Sequence, residues 1–278
     1  MKIAWIGTGI MGAPMALHVA EKYDVTVYNR TFEKAKKLEP KVKAVASIEE
    51  AVKNADLIFT IVGYPSDVEA VYNEIFKYVK KGTICVDMTT SSPLLAQKLV
   101  EKGGPLGIDV LDSPVTGGDL GAKNATLSIM VGGNYDAFLK VRDVLKLMGT
   151  TINYVGEAGS GQYAKLSNQI AIAGALLGVA ESLTFAKEKN LNLNTVYAIL
   201  NGGSAQSTQL KVNGKKMIDE DFNPGFYVKH FLKDLQIAHE VTSKKLPTLD
   251  LAIQILKELV LEGDENLGTQ SVIKFYQR

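Results

Sequence analysis

The 278-residue chain has one cysteine, three histidines and no surplus of either charge. A lone Cys85 excludes an internal disulfide and reads as a small core residue within a strand. His18, His230 and His239 are scattered, and no Cys/His group has the spacing of a metal site. With 31 basic and 30 acidic residues, the balance points to neither nucleic acid nor an anionic membrane as partner. An apolar run of the roughly 20 residues needed to span a bilayer is also missing. The longest, 170–179, is flanked by Lys165 and Glu181 and reads as a buried helix of a soluble protein. Residues 2–6 already read as a strand, which leaves no room for a cleavable leader, and the expected compartment is the cytosol. No internal repeat or low-complexity tract occurs. The length suits one large or two medium domains with a sizeable core.

What is present begins at once. The short apolar strand 3–6 runs into Gly7-Thr8-Gly9-Ile10-Met11-Gly12, and residues 13–22 have helical character. A G-x-G-x-x-G between strand and helix is a dinucleotide-binding pattern. The first glycine permits a tight turn, the second lets a pyrophosphate approach the backbone, and the third lets helix pack on strand. A second strand, 25–28, ends at Asn29-Arg30-Thr31, where an NAD site usually presents a carboxylate to the adenosine ribose. This stretch has no acid to repel a 2′-phosphate, and Arg30 carries a guanidinium able to grip one, so NADP(H) is expected over NAD(H). An idle surface arginine is the alternative.

Strands at 56–62, 82–88, 108–111, 127–131 and 151–155 alternate with helices at 66–78, 93–102 and 135–148. That order predicts a doubly wound α/β domain with a mostly parallel sheet and ligands at the strands' carboxyl ends. The connection 112–133 is rich in glycine and polar residues. Thr116-Gly117-Gly118 there offers a hydroxyl and backbone N–H groups suited to a carboxylate, or simply turn geometry. Beyond 159 almost everything reads as helix: 166–189, 194–200, 228–242, 248–261 and 268–276. At about 100° per residue, Asn168 lies roughly 60° from Lys165 on the first of these helices, and Gln169 roughly 40° to the other side. The helix dipole and apolar neighbours disfavour the charged form of this lysine.

Four motifs in order and spacing make the chain resemble the β-hydroxyacid dehydrogenases, a family that includes 3-hydroxyisobutyrate dehydrogenase and the glyoxylate/succinic semialdehyde reductases. They are the 7–12 glycine turn; Asp112-Ser113-Pro114-Val115-Thr116-Gly117-Gly118 running on to Gly121-Ala122; Gly159-x-Gly161-x-x-x-Lys165-x-x-Asn168; and Lys233-Asp234-Leu235. The resemblance covers nearly the whole chain. It implies a Rossmann-type domain at 1–158 and, joined by a long interdomain helix, an all-helical substrate and dimerisation domain at 159–278. It makes Lys165 the catalytic lysine and has Thr116 and Gly117 bind the substrate carboxylate. Thr90 and Lys233 match positions beside the cofactor, Asp234 lies in the active-site region, and Phe226 matches a substrate-pocket aromatic. Asn29-Arg30-Thr31 resembles the NADP-using branch. Gln169 stands where the family often has Asn, so either Asn168 or Gln169 orients the substrate. Thr116 replaces a more frequent Ser, and Val62-Gly63 replaces Leu-Pro or Leu-Ser.

The expected activity is hydride exchange between NADP(H) and a small carboxylate-bearing aldehyde or hydroxyacid, with Lys165 as general acid/base. A decarboxylating sugar-acid dehydrogenase is a second reading, although the chain is short for the usual enzyme and has no basic cluster for a sugar phosphate. An imine reductase generally replaces the lysine. A non-catalytic NADP-binding scaffold is a third reading, and such relatives lose the lysine. The long helix and the resemblance lead us to expect a homodimer or higher homo-oligomer. The solvated alternative for Lys233 and Asp234 remains open from the residues alone, as does a core role for Tyr163, Phe226, Tyr227 and Phe231.

Overall fold

The computed structural model describes all residues, Met1–Arg278, in two compact units, Met1–Lys165 and Leu166–Arg278. The sequence boundary at 158/159 marks the start of a helix; the units divide seven residues later, within it.

The first unit runs β1 (Lys2–Ile6), α1 (Gly12–Ala20), β2 (Asp24–Tyr28), α2 (Phe32–Lys36), β3 (Lys43–Ala44), α3 (Ile48–Val52), β4 (Leu57–Thr60) and α4 (Pro65–Tyr78). It continues with β5 (Ile84–Asp87), α5 (Pro93–Gly103), β6 (Asp109–Asp112), β7 (Val115–Thr116), α6 (Gly118–Lys123), β8 (Leu127–Gly132), α7 (Tyr135–Leu145) and β9 (Gly149–Gly156). The sheet order is β3-β2-β1-β4-β5-β6-β8-β7, with β9 also paired to β8. β1 to β6 are mutually parallel, β8 runs antiparallel to β6 and β7, and β9 is parallel to β8. The strand order therefore reverses direction at β1, between β2 and β4, the place where doubly wound sheets open a crevice at their carboxyl edge.

Strand alternation divides the apolar residues between two faces. Ile3, Trp5, Val27, Leu57, Phe59 and Val86 pack with Met15, Val19, Phe138 and Val141 on one side. Ala4, Ile6, Ile58, Cys85 and Val110 pack with Val52, Val68, Tyr72, Ile75 and Leu99 on the other. Both faces are thus covered, which is why β4 and β5 are buried at every position and mostly apolar. Trp5 and Phe59 stack at 5.1 Å between ring centroids. Each such buried side chain contributes roughly 1.5–3 kcal/mol.

Sequence patterning missed β3, β7, α2, α3 and α6. The stretch around Thr116-Gly117-Gly118, expected as a loop, instead holds β7 and α6. Val115 pairs with Ile129 and Thr116 with Ser128, and Gly117 at φ 129° turns the chain into α6.

α8 (Ser160–Glu188) begins in the first unit and continues into the second. The second unit adds α9 (Leu193–Gly202), a π-helical turn at Leu210–Gly214, α10 (Lys215–Ile218), α11 (Val228–Val241) and α12 (Pro247–Leu261). A 3-10 turn at Thr269–Val272 and α13 (Ile273–Tyr276) close the chain. The sequence had read the last two as one helix and had not identified the π turn or α10. By length and composition α8 is able to cross a membrane, although its uninterrupted apolar run is short. Its Leu166, Ala173, Leu176, Ala180 and Leu183 recur at helical spacing and pack with Val228, Phe231, Leu235, Leu249, Leu256 and Leu259. That is the pattern of a core helix.

Candidate active site

The glycine turn after β1 separates folding from binding. Gly7 lies at φ 102°, and a Cβ there would sit 2.1 Å from the Ile61 carbonyl oxygen. A Cβ on Gly12 would sit 2.1 Å from the Gly7 carbonyl oxygen. Both positions are closed to a side chain by the protein itself. At Gly9 a Cβ would meet nothing within 4 Å. Its open space, beside the exposed Ile10 and half-buried Met11, is a cradle that a side chain would fill, and it fits a dinucleotide pyrophosphate at the start of α1.

Asn29 is held against this turn. Its Oδ1 accepts from the Thr8 N–H at 2.9 Å, and its Nδ2 donates to the Thr31 carbonyl at 3.0 Å. Arg30 therefore emerges beside the glycine turn, with its side chain 88% exposed. Thr31 starts α2 without a side-chain cap. One expectation needs correction: an acid does stand near Arg30. Asp67, in the first turn of α4, places Oδ1 3.3 Å from Arg30 Nη1. It is 37 positions away in sequence, so inspection of the β2 terminus could not reveal it.

The ends of β4 and β5 are joined below this edge. Thr60 Oγ1 donates to Asp87 Oδ1 at 2.8 Å, and the Thr89 N–H donates to the same oxygen at 3.2 Å. The Val62 N–H donates to Thr89 Oγ1 at 2.9 Å. Burial pushes the Asp87 carboxyl up to about 6, against the pull of its Thr89 and Thr60 hydrogen bonds. The network fixes the Val62-Gly63 turn and the chain entering the half-buried Thr90.

The start of α8 is fastened to the same edge. The Gly159 N–H donates to Asp112 Oδ1 and the Gln162 N–H to Asp112 Oδ2, each at 2.8 Å. Burial raises the Asp112 carboxyl and these backbone donors oppose it. A Cβ on Gly161 would lie 2.5 Å from the Asp112 carbonyl oxygen and 2.6 Å from that of Met130. The glycine thus lets the helix press against the ends of β6 and β8. Gln162, fully buried, accepts from the Ser91 N–H at 2.9 Å and donates to the Thr89 carbonyl at 2.8 Å. Asp112 opens one of the motifs, but the sequence reading gave neither it nor Gln162 a part in placing this helix. Lys165 follows three residues after Gln162, and only 7% of it is exposed.

Thr116 is half-buried, and Gly117 and Gly118 are exposed. A Cβ on Gly117 would crowd Leu127 at 3.3 Å, so turn geometry alone accounts for that glycine. Gly118, at φ 65°, faces open space.

In the second unit, Asn168 Nδ2 donates to Gln169 Oε1 at 2.9 Å, and Gln169 Nε2 donates to Asp234 Oδ2 at 2.7 Å. Lys233 Nζ lies 3.0 Å from Asp234 Oδ1, with side chains 12% and 2% exposed. The solvated reading of this pair is therefore wrong: the four residues form one largely buried polar chain. Gln169 is committed at both ends of its amide, to Asn168 and to Asp234. Phe231 is core, at 1% exposed, whereas Phe226 is 38% exposed and meets it edge-on at 5.8 Å. Tyr163, in the first unit, is also exposed.

Two family models match the chain. Residues 2–156 match the family model of the NAD binding domain of 6-phosphogluconate dehydrogenase. Residues 159–276 match that of the NAD-binding region of NADP-dependent 3-hydroxyisobutyrate dehydrogenase. A probable mitochondrial 3-hydroxyisobutyrate dehydrogenase-like protein of Arabidopsis thaliana is 40% identical, over 100% of this chain and 85% of its own. The 2-hydroxy-3-oxopropionate reductase of Escherichia coli is 37% identical, over 99% and 96%. A solved 3-hydroxyisobutyrate dehydrogenase from Mycobacterium tuberculosis, with L-serine, superposes at TM-score 0.91 with 27% identity, covering 100% of this chain and 99% of that one.

Proposed function

The chain belongs to the β-hydroxyacid dehydrogenase family of NAD(P)-binding oxidoreductases, and on that premise we propose that it uses NADP(H) to interconvert a small carboxylate-bearing aldehyde and its hydroxyacid. Glyoxylate and succinic semialdehyde are the aldehydes in view, with a 3-hydroxyisobutyrate-type acid in the oxidative direction. The observation that carries this reading is the burial of Lys165 on a helix that Gln162 ties to Thr89 and Ser91, at the strand ends where ligands of such sheets bind.

Bound nicotinamide supplies or takes up the hydride. The chain supplies position and a proton. Gly9 admits the pyrophosphate, and Arg30 meets the 2′-phosphate with charge-assisted hydrogen bonds. Val62 and Thr90 border the cofactor from the ends of β4 and β5, and the family resemblance assigns Lys233 to the cofactor as well. Thr116, Gly117 and Gly118 hold the substrate carboxylate, and the family resemblance assigns Phe226 to the substrate. The Lys165 ammonium donates its proton to the carbonyl oxygen as that oxygen gains charge; in oxidation, the neutral amine takes the hydroxyl proton. Asn168 hydrogen-bonds the amine or the substrate oxygen, while Gln169 and Asp234 hold Asn168 in place. The functional unit is a cytosolic homo-oligomer.

A panel assay tests the reading. NADPH oxidation with glyoxylate, succinic semialdehyde or methylmalonate semialdehyde, or NADP⁺ reduction with 3-hydroxyisobutyrate, is the expected result. Turnover of 6-phosphogluconate alone would select the decarboxylating reading, and no turnover of any of them would leave a cofactor-binding scaffold.

A further inference from the structure

The carboxylate that an NAD site usually carries at the end of β2 is absent there, yet one reaches the same neighbourhood from α4. Asp67 Oδ2 accepts from the Tyr64 N–H at 3.1 Å and Oδ1 takes Arg30 Nη1 at 3.3 Å. The first oxygen is fixed by the helix start, and a negative charge in the first turn is favoured by the helix dipole. The second oxygen is thereby aimed at the guanidinium. A Cβ on Gly63 would come within 3.0 Å of Oδ2, so glycine in the turn after β4 leaves room for this carboxylate. Asp67 is 31% exposed and Arg30 88%. The arginine thus reaches into solvent from a partly covered anchor.

We propose that Asp67 is the residue that sets the chain's discrimination between NADP(H) and NAD(H), by cancelling the charge of Arg30 beside the ribose 2′ position. This rests on the reading of Arg30 as the 2′-phosphate ligand. A lone guanidinium would attract the phosphate strongly; the pair presents no net charge, and its carboxylate repels the phosphate directly. For a free 2′-hydroxyl the same carboxylate is an acceptor rather than a repellent. Asp67 therefore holds the preference for NADP(H) below what Arg30 alone would give and keeps NAD(H) usable. Asp67→Asn removes the charge at nearly constant size. Its amide oxygen can keep the bond from the Tyr64 N–H, while the NH2 that replaces Oδ1 cannot accept from Arg30, so the ion pair is lost with the charge.

The test is calorimetric titration of the full chain with NADP⁺ and with NAD⁺ at low ionic strength, where exposed charges are least screened. The readout is the ratio of the two dissociation constants and does not involve turnover. Arg30→Ala tests the underlying reading: it should lower the preference for NADP⁺ by about 10-fold or more, as expected for lost hydrogen bonds to a charged group. Asp67→Asn should raise that preference by about 5-fold, the upper range for an exposed charge pair, with most of the change in NADP⁺. Asp67→Ser keeps an acceptor for the Tyr64 N–H but is too short to reach Arg30; it should shift the ratio the same way, which guards against loss of fold in the first variant. Added salt should shrink the difference between wild type and Asp67→Asn. An Asp67→Asn ratio equal to wild type or lower, alongside a collapsed Arg30→Ala ratio, overturns the role of Asp67 alone. An Arg30→Ala ratio equal to wild type overturns the cofactor reading and this inference with it.

Discussion

Two glycine-marked turns of the first unit, 7–12 and 159–161, look alike in sequence and do different work. At the second turn every constraint comes from the protein. Gly159 takes φ 88°, and Gly161 lets α8 touch the backbone of Asp112 and Met130. At the first, Gly7 is closed in by the Ile61 carbonyl and Gly12 by Gly7 and Ile61, but Gly9 has no neighbour that forbids a side chain. A glycine that packing does not require is the one to assign to a ligand. Gly118 does not pass the same test: a Cβ there would meet nothing, but its φ of 65° already calls for glycine.

The largest effect that would sharpen this contrast belongs to the closed glycines. Gly7→Ala and Gly161→Ala should each destabilise the cofactor-free chain by roughly 3 kcal/mol or more, because the clashing atoms are backbone and cannot move aside. Thermal unfolding should then fall by about 6 °C or more. Wild-type melting for either variant would break the comparison.

A second contrast concerns the buried carboxylates. Asp112 spends both oxygens on backbone N–H groups, whereas Asp87 receives Thr60 and Thr89 on one oxygen only. The Asp87 carboxyl moves from an ordinary 3.8 to about 6. The folded state therefore holds its proton more tightly than the unfolded state. Its contribution to stability is full below about pH 4 and is lost as pH rises through about 6. The loss is about 3 kcal/mol at most. Chemical denaturation of Asp87→Asn from pH 4 to 7 should lose this descending component, leaving the variant at least as stable as wild type at pH 7. An unchanged pH slope would show that Asp87 does not titrate there.

The smallest stability effect is expected at Gly9→Ala, within about 0.5 kcal/mol of wild type. NADP⁺ affinity should nevertheless fall by about 10-fold, since the methyl group occupies the pyrophosphate's approach. A stability loss as large as that of Gly7→Ala would remove the distinction between folding and binding glycines.

Much of this was legible in the chain. Apolar strands such as 57–60 and 84–87 announce a sheet covered on both faces, and α11 and α12 announce themselves by period. Elements of two to six residues, such as β3, β7 and α6, are too short to carry a period and are held by their neighbours. The motifs led to Lys165, Asn168 and Asp234 but not to what places them. Gln162 bonds residues more than 70 positions away, and Asp67 meets Arg30 across 37. Such pairings exist only once the sheet has brought its strand ends together. The sequence left Asn168 and Gln169 as alternative substrate-orienting amides; the two bonds of Gln169 commit it to Asn168 and Asp234.

The account depends most on Lys165 as the proton source, and one variant tests it directly. Turnover and NADPH affinity should be measured together for Lys165→Ala, using whichever substrate the panel identifies. A fall in kcat of at least ~10²-fold with NADPH affinity retained is the predicted result. Near-normal turnover would contradict it.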